Sequence, residues 1–170
     1  LVSSLGPPQV GLALHALLLI ALIYHASQDL QRPVHQMLLT LAFAPLIRLM
    51  SHSLPLTSFP QIAWYFIISL PLFVAVFLAL RILGWKWGDV AIRPGRPAIQ
   101  ALVALSGLLF GYAEYRILQP EPLALSFTVR DLWLPALVLL ISTGFFEELI
   151  FRGLMQRASD AALPRRRWGP

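Results

Sequence analysis

Three ionisable residues follow an uncharged run late in the chain. Glu147 and Glu148 come directly after the fifteen uncharged residues 132–146, and Arg152 follows four positions after Glu148. Residues four apart lie on the same face of a helix, and an acid before a base is the favourable order, so Arg152 can neutralise Glu148. The set therefore offers one carboxylate with a basic partner beside a second carboxylate without one.

The carboxylate without a local partner is Glu147. A helical turn takes about 3.6 residues, so Glu147 is rotated by about 100° from Glu148, and we expect it to share a face with Thr143, Ile150 and Phe151. Its charge requires a partner from another part of the protein, or a metal-bound water. A carboxylate in a low-dielectric site can act as a general base near neutral pH, and a metal-bound water is already acidified.

The composition indicates the surroundings in which these groups must work. Of the 170 residues, 58% are hydrophobic and 12% are charged, and the mean hydropathy is +0.72. A soluble domain carries about 25% charged residues, so this chain is predicted to be a membrane protein. Apolar segments recur along the whole chain, so a cleaved signal peptide does not account for them. The chain has no cysteine, which excludes disulfides and thiolate metal sites.

Five segments approach the length of about 20 apolar residues that crosses a bilayer. They are residues 10–26, 34–50, 62–83, 98–118 and 132 to about 158. Pro45 and Pro71 fall inside the second and third segments, where neighbouring helices can satisfy the freed carbonyls and where we expect kinks that serve packing. The predicted fold class is all-α, a polytopic transmembrane helix bundle of about five spans, in a single transmembrane domain that covers residues 1–170.

The distribution of basic residues predicts the orientation of these spans. Ten of the 13 lysines and arginines fall on the side that holds the first connector, the third connector and the C-terminal end, and the other three are Arg48, Arg116 and Arg130. Cytoplasmic loops carry the excess of Lys and Arg, so we expect a multi-pass protein of the plasma membrane, with the C-terminus in the cytoplasm and the N-terminus outside. No basic stripe with interleaved aromatics is present, so membrane lipid is an expected partner and nucleic acid is not.

In this orientation the fifth span runs inward and places the glutamates toward the cytoplasmic leaflet. The charges could simply mark the end of the helix, where long side chains reach the headgroups. Against that interpretation, the apolar residues "LIF" follow the glutamates, and a plain helix end does not resume in this way. Another alternative is a non-enzymatic membrane scaffold or a transport-type protein in which a buried Glu–Arg pair is structural.

The motif itself resembles that of a known family. "EELIFRG" is similar to the first motif, Glu-Glu-x-x-x-Arg, of the CPBP intramembrane proteases, which include CAAX proteases and bacteriocin-processing enzymes and were once called abortive-infection proteins. Glu147, Glu148 and Arg152 match this motif residue by residue. The upstream segments "LAFAPLIRLMSHSLP" and "ILGWKWGDVAIRPGR" resemble the second span and the loop before the core in bacterial members.

The resemblance implies a membrane-embedded metalloendopeptidase, a hydrolase with Glu147, Glu148 and Arg152 as its candidate catalytic residues. In such an enzyme Glu147 would activate the water that attacks the scissile carbonyl, and Glu148 and Arg152 would support and orient the site. The implied cofactor is a divalent metal, expected to be zinc. The implied substrate is a peptide or protein, and prenylated C-termini, bacteriocin leaders and membrane-anchored regulators all remain open.

The family's catalytic set extends beyond the present chain. Its metal ligands are histidines from Phe-x-x-x-His and His-x-x-x-Asn/Asp motifs on later helices, which are expected beyond Pro170. The chain begins at Leu1 rather than Met and stops at "RRRWGP", so we expect it to be truncated at its C-terminus and to lack protease activity by itself. Its four histidines, at positions 15, 25, 35 and 52, all precede Glu147 and are not expected to be ligands.

Overall fold

The computed structural model describes residues 8–90, 96–119, 123, 126 and 128–163. These residues form helices and connecting turns, with no strand among them. The helices are α1 (Pro8–Ser27), α2 (Pro33–Leu41), α3 (Phe43–Ser53), α4 (Gln61–Leu83), α5 (Pro97–Leu118) and α6, a continuous helical run over Val129–Ala162. The all-α prediction is confirmed.

Five stretches of helix are long and apolar enough to cross a membrane, namely α1, α2 with α3, α4, α5 and α6. They coincide with the five segments that the sequence predicts, and their ends differ from the predicted ends by four residues or fewer. Pro33 and Pro97 occupy the first turns of α2 and α5, where a backbone N–H would have no partner within the helix.

The second span is interrupted at Ala42, between α2 and α3. Pro45 has no N–H, so the carbonyl of Leu41 cannot receive the usual bond from four residues ahead. Ala42 keeps a right-handed helical backbone (φ −61°, ψ −20°), so the chain continues in nearly the same direction. By contrast, α4 passes through Pro71 without interruption. The helix is therefore interrupted before Pro45 and continuous through Pro71, although the sequence predicts a kink at both.

The packed core lies among α3, α4 and α6. Its buried side chains are Phe43, Leu72, Val76, Ala79, Leu80, Val90, Phe146, Leu149, Ile150 and Leu154. The ring of Phe73 on α4 meets that of Phe146 edge-on at 4.8 Å and stacks against that of Phe145 at 6.2 Å. Lipid is as apolar as these side chains, so helices in a membrane associate through this kind of close packing. The core thereby fixes which face of α6 turns inward.

The remaining contacts join α1 and the last part of α6 to the second span. Helix α1 packs against α2 and α3, and the last part of α6, Arg157–Ala162, packs against α2.

Every side chain described on α5 is exposed. Large apolar residues are exposed along α1, α4, α5 and the first half of α6. Such surfaces suit a lipid environment, in which backbone groups are satisfied within each helix and apolar side chains face outward.

Candidate functional site

The glutamates lie on a short α-helical turn inside α6. This turn, Phe146–Glu148, is flanked by two π-helical segments, Leu140–Phe145 and Leu149–Gln156. Segments with π-type hydrogen bonds are rare and occur frequently at functional sites. Sequence reasoning missed them. The one signal present is a glycine in each segment, Gly144 and Gly153, because glycine tolerates backbone conformations that other residues resist.

The two faces of α6 differ sharply around this turn. Phe146, Leu149 and Ile150 are buried in the core, and Gly153 and Leu154 continue the same buried face. Glu147, Glu148, Phe151 and Arg152 are all exposed. The structure therefore brings the three residues of the motif together on the face of α6 that turns away from the core.

Arg152 and Glu148 form the ion pair that their spacing predicts. The Nη1 atom of Arg152 donates to Oε1 of Glu148, and the two side chains are 74% and 44% exposed, respectively. An exposed pair of this kind contributes about 0.3–0.5 kcal/mol in water, which is too little to hold the helix in place. Its clearer consequence is to fix the direction of the Glu148 carboxylate.

Glu147 has no hydrogen bond or ion pair with any residue that the structure describes. The sequence predicted that Glu147 shares a helix face with Phe151 and Ile150. The prediction is correct for Phe151, which is exposed as Glu147 is, and wrong for Ile150, which is fully buried. Ile150 follows Phe146 by four residues and lies with it on the buried face, which is the spacing of an ordinary amphipathic helix. Thr143 lies between these extremes and is half-buried.

The first π-helical segment also contains a buried hydroxyl. The Oγ atom of Ser142 is buried and, within the described part of the chain, has no hydrogen-bond partner. Ser69 on α4 is buried as well, but its hydroxyl donates to the carbonyl of Phe66 at 3.2 Å. A buried hydroxyl without a partner carries the cost of its lost hydration. Ser142 therefore places an unbonded hydroxyl, among the described residues, one turn before the glutamates.

The connector after α4 holds the segment of α6 that follows the glutamates. A Cβ atom placed on Gly153 would lie 3.2 Å from the carbonyl oxygen of Val90, so only glycine allows this approach without displacement. One turn later, Arg157 donates to the carbonyl of Asp89 at 2.5 Å and lies 3.8 Å from its carboxylate. The same guanidinium lies 4.8 Å from the centre of the Trp85 ring. Sequence reasoning singled out none of these contacts.

No protein-family model, curated protein or solved structure matches this chain. The interpretation of the site therefore depends on the geometry of α6 and on the motif that it carries.

The described residues do not by themselves fit the zinc that the family resemblance implies. Among them, no group of three or more His, Asp or Glu side chains is close enough to hold a metal ion. Glu147 and Glu148 provide two carboxylates, and one of these is already paired with Arg152. His15 and His35 form hydrogen bonds to nearby carbonyls, at 2.7 Å to Gly11 and at 2.8 Å to Asp29. We accordingly assign no chemical step to a metal.

Proposed function

We propose that this chain belongs to a membrane-embedded endopeptidase in which Glu147 is the general base. The observation that carries this proposal is the unequal state of two adjacent carboxylates. Glu148 is paired with Arg152, while Glu147 lies beside it without a partner among the described residues. The Glu-Glu-x-x-x-Arg spacing, which resembles the first motif of the CPBP intramembrane proteases, supports the same assignment.

The chemistry follows from the ordinary behaviour of a carboxylate base. Glu147 accepts a proton from the water as the water oxygen attacks the carbonyl carbon of the peptide bond. The protonated Glu147 then returns that proton to the amine as the carbon–nitrogen bond breaks, which balances the hydrolysis. Arg152 pairs with Glu148 and fixes the direction of its carboxylate, so Glu147 is the carboxylate of the two that is open to the water.

The surroundings of Glu147 favour a substrate that reaches the site along the membrane. Ile141, Phe145 and Phe151 are exposed on α6 within six residues of Glu147, so apolar surface adjoins the carboxylates. A peptide with a lipid group or an apolar segment could lie against this surface, as a prenylated C-terminus or a leader peptide would. The excess of basic residues supports a site near the cytoplasmic face of the plasma membrane, in a multi-pass protein with its C-terminus in the cytoplasm.

The alternative of a non-enzymatic scaffold or transport-type protein depends on a buried Glu–Arg pair. That alternative is less well supported, because the side chains of Glu148 and Arg152 are 44% and 74% exposed among the described residues.

The proposal is tested with membranes of cells that express the protein from its complete gene. Membranes with the wild type are expected to cleave a fluorogenic prenylated peptide or a leader-bearing peptide, and the Glu147→Gln variant is expected to lose this cleavage. Glu114→Gln is the matched control, because Glu114 is an exposed carboxylate on α5. Equal cleavage by wild type and Glu147→Gln, at equal expression, would exclude Glu147 as the base.

A further inference from the structure

The end of α4 carries an open cavity of about 410 Å³, lined by aromatic and basic side chains. Arg81 and Lys86 provide its charges, and Phe77, Leu80, Trp85 and Trp87 provide apolar walls. Sites for small ligands in proteins typically enclose about 300–1,000 Å³ and combine apolar walls with a few polar groups. This cavity has the size and the composition of such a site.

The C-terminal turn of α4 creates the cavity. Gly84 has a left-handed backbone (φ 66°), its N–H donates to the carbonyl of Arg81 at 3.2 Å, and the N–H of Trp85 donates to the carbonyl of Leu80 at 2.9 Å. This is the arrangement in which a helix ends in a left-handed glycine and the chain reverses direction. The reversal brings Lys86 to the same cavity as Arg81, although five positions separate them in the sequence.

Within the described part of the chain, the two cations of the cavity form no ion pair. Arg81 and Lys86 are both exposed, and among the described residues neither has a carboxylate within 4.0 Å. The carboxylate of Asp89 accepts the backbone N–H of Lys86 at 2.9 Å and lies 3.8 Å from Arg157, so it does not neutralise this pair. The guanidinium of Arg81 lies 5.1 Å from the centre of the Phe77 ring. An anion would complete the charge balance of the cavity.

An apolar row on α4 leads directly to these cations. Phe66, Leu70, Val74 and Phe77 are exposed at spacings of four, four and three residues, and Arg81 follows four positions later. Residues at these spacings lie one above the other on a single helix face. The face therefore presents several turns of apolar surface that end in a basic group. This surface is complementary to an anionic phospholipid, because the apolar turns match the acyl chains and the basic group matches the phosphate.

We infer that this cavity binds an anionic phospholipid. Arg81 and Lys86 hold the phosphate, the acyl chains lie along the row from Phe66 to Phe77, and Trp87, which is 55% exposed, lies at the level of the headgroups. Clusters of basic residues at the ends of membrane spans bind anionic headgroups, and tryptophan prefers the membrane–water interface. This inference does not depend on the proposed protease activity, because the cavity shares no residue with the glutamate motif.

The test is a lipid titration of the purified, delipidated full chain in detergent, followed by native mass spectrometry. The wild type is expected to bind dioleoylphosphatidylglycerol at least about tenfold more tightly than dioleoylphosphatidylcholine. The double variant Arg81→Gln with Lys86→Gln is expected to lose at least about tenfold in affinity for the anionic lipid. The control is Arg48→Gln with Arg96→Gln, which removes the same charge from two exposed residues outside the cavity and should bind like the wild type.

Three results would overturn the inference. The first is equal affinity of the cavity double variant and the wild type for the anionic lipid. The second is equal affinity of the wild type for the two lipids. The third is displacement of the lipid by glycerol 3-phosphate at equal concentration, because that result would assign the cavity to a soluble phosphate. Thermal unfolding of all variants checks that they remain folded.

Discussion

The guanidinium of Arg157 lies 4.8 Å from the centre of the Trp85 ring and donates a hydrogen bond to the carbonyl of Asp89 at 2.5 Å. Arg157 belongs to α6, while Trp85 and Asp89 belong to the connector that follows α4. This contact joins segments 68 residues apart in the chain and, together with the approach of Gly153 to Val90, fixes α6 beyond the glutamates. Together with the packed core, these two contacts fix the rotation of α6 and with it the direction of Glu147.

The Arg157→Ala substitution is expected to lower the free energy of unfolding by about 1–2 kcal/mol. It removes a cation–π contact and a hydrogen bond, each of which contributes about 0.5–1.5 kcal/mol. Denaturant unfolding in detergent micelles measures the change. Arg48→Ala is the matched control, because Arg48 is exposed and forms no ion pair among the described residues. Equal effects of the two substitutions would show that the contact with Trp85 contributes nothing specific.

Gly153→Ala is expected to be less stable than Gly107→Ala by about 1–3 kcal/mol, because its Cβ would meet the carbonyl oxygen of Val90 at 3.2 Å and displace α6 or the connector. Gly107→Ala provides the contrast, since a Cβ there meets nothing within 4 Å. Alanine favours helix over glycine by about 1 kcal/mol, so this control should be neutral or stabilising. The comparison uses apparent melting temperatures of both variants, and a Gly153→Ala variant as stable as the control contradicts the close approach.

Ser142→Ala is expected to leave stability unchanged or to raise it by about 1 kcal/mol, because it removes a buried hydroxyl that has no partner among the described residues. Ser69→Ala is the matched control. It removes a buried hydroxyl that donates to the carbonyl of Phe66, and it should cost about 0.5–1.5 kcal/mol. Differential scanning fluorimetry of the two variants tests the order. A larger loss at Ser142 than at Ser69 would mean that the Ser142 hydroxyl has a partner in the membrane.

Hydropathy and spacing predict the coarse structure well, because each depends on residues close in sequence. The five spans follow from runs of apolar residues, and the pair of Glu148 with Arg152 follows from their separation of four. The break at Ala42 is consistent with the proline three residues later. These features need no knowledge of how the helices pack.

The remaining features of the site depend on hydrogen-bond register and on contacts between distant segments. The two π-helical segments, Leu140–Phe145 and Leu149–Gln156, depend on which carbonyl each backbone N–H reaches, and the residue types do not reveal that choice. The contacts of Arg157 with Trp85 and of Gly153 with Val90 join α6 to a connector more than 60 residues earlier. Sequence spacing carries no information about either.

The Arg152→Gln substitution tests two effects of the ion pair separately, namely the orientation of the Glu148 carboxylate and the stability of the fold. Loss of an exposed pair should change the free energy of unfolding by no more than about 0.5 kcal/mol, as measured by denaturant titration. Under the proposed function, cleavage by the same variant should fall by at least about tenfold, because Glu148 then loses the partner that fixes its direction beside Glu147. A variant with unchanged cleavage would remove Arg152 from the proposed site.

The turnover number of the purified Glu147→Gln variant, compared with those of the wild type and of Glu114→Gln, tests the central assignment most directly. Each protein is produced from the complete gene and assayed in lipid nanodiscs against the same peptide. Loss of a general base predicts a decrease of at least about 100-fold in kcat, with KM and the melting temperature nearly unchanged. A Glu147→Gln enzyme whose kcat equals that of Glu114→Gln would contradict the assignment of Glu147 as the base.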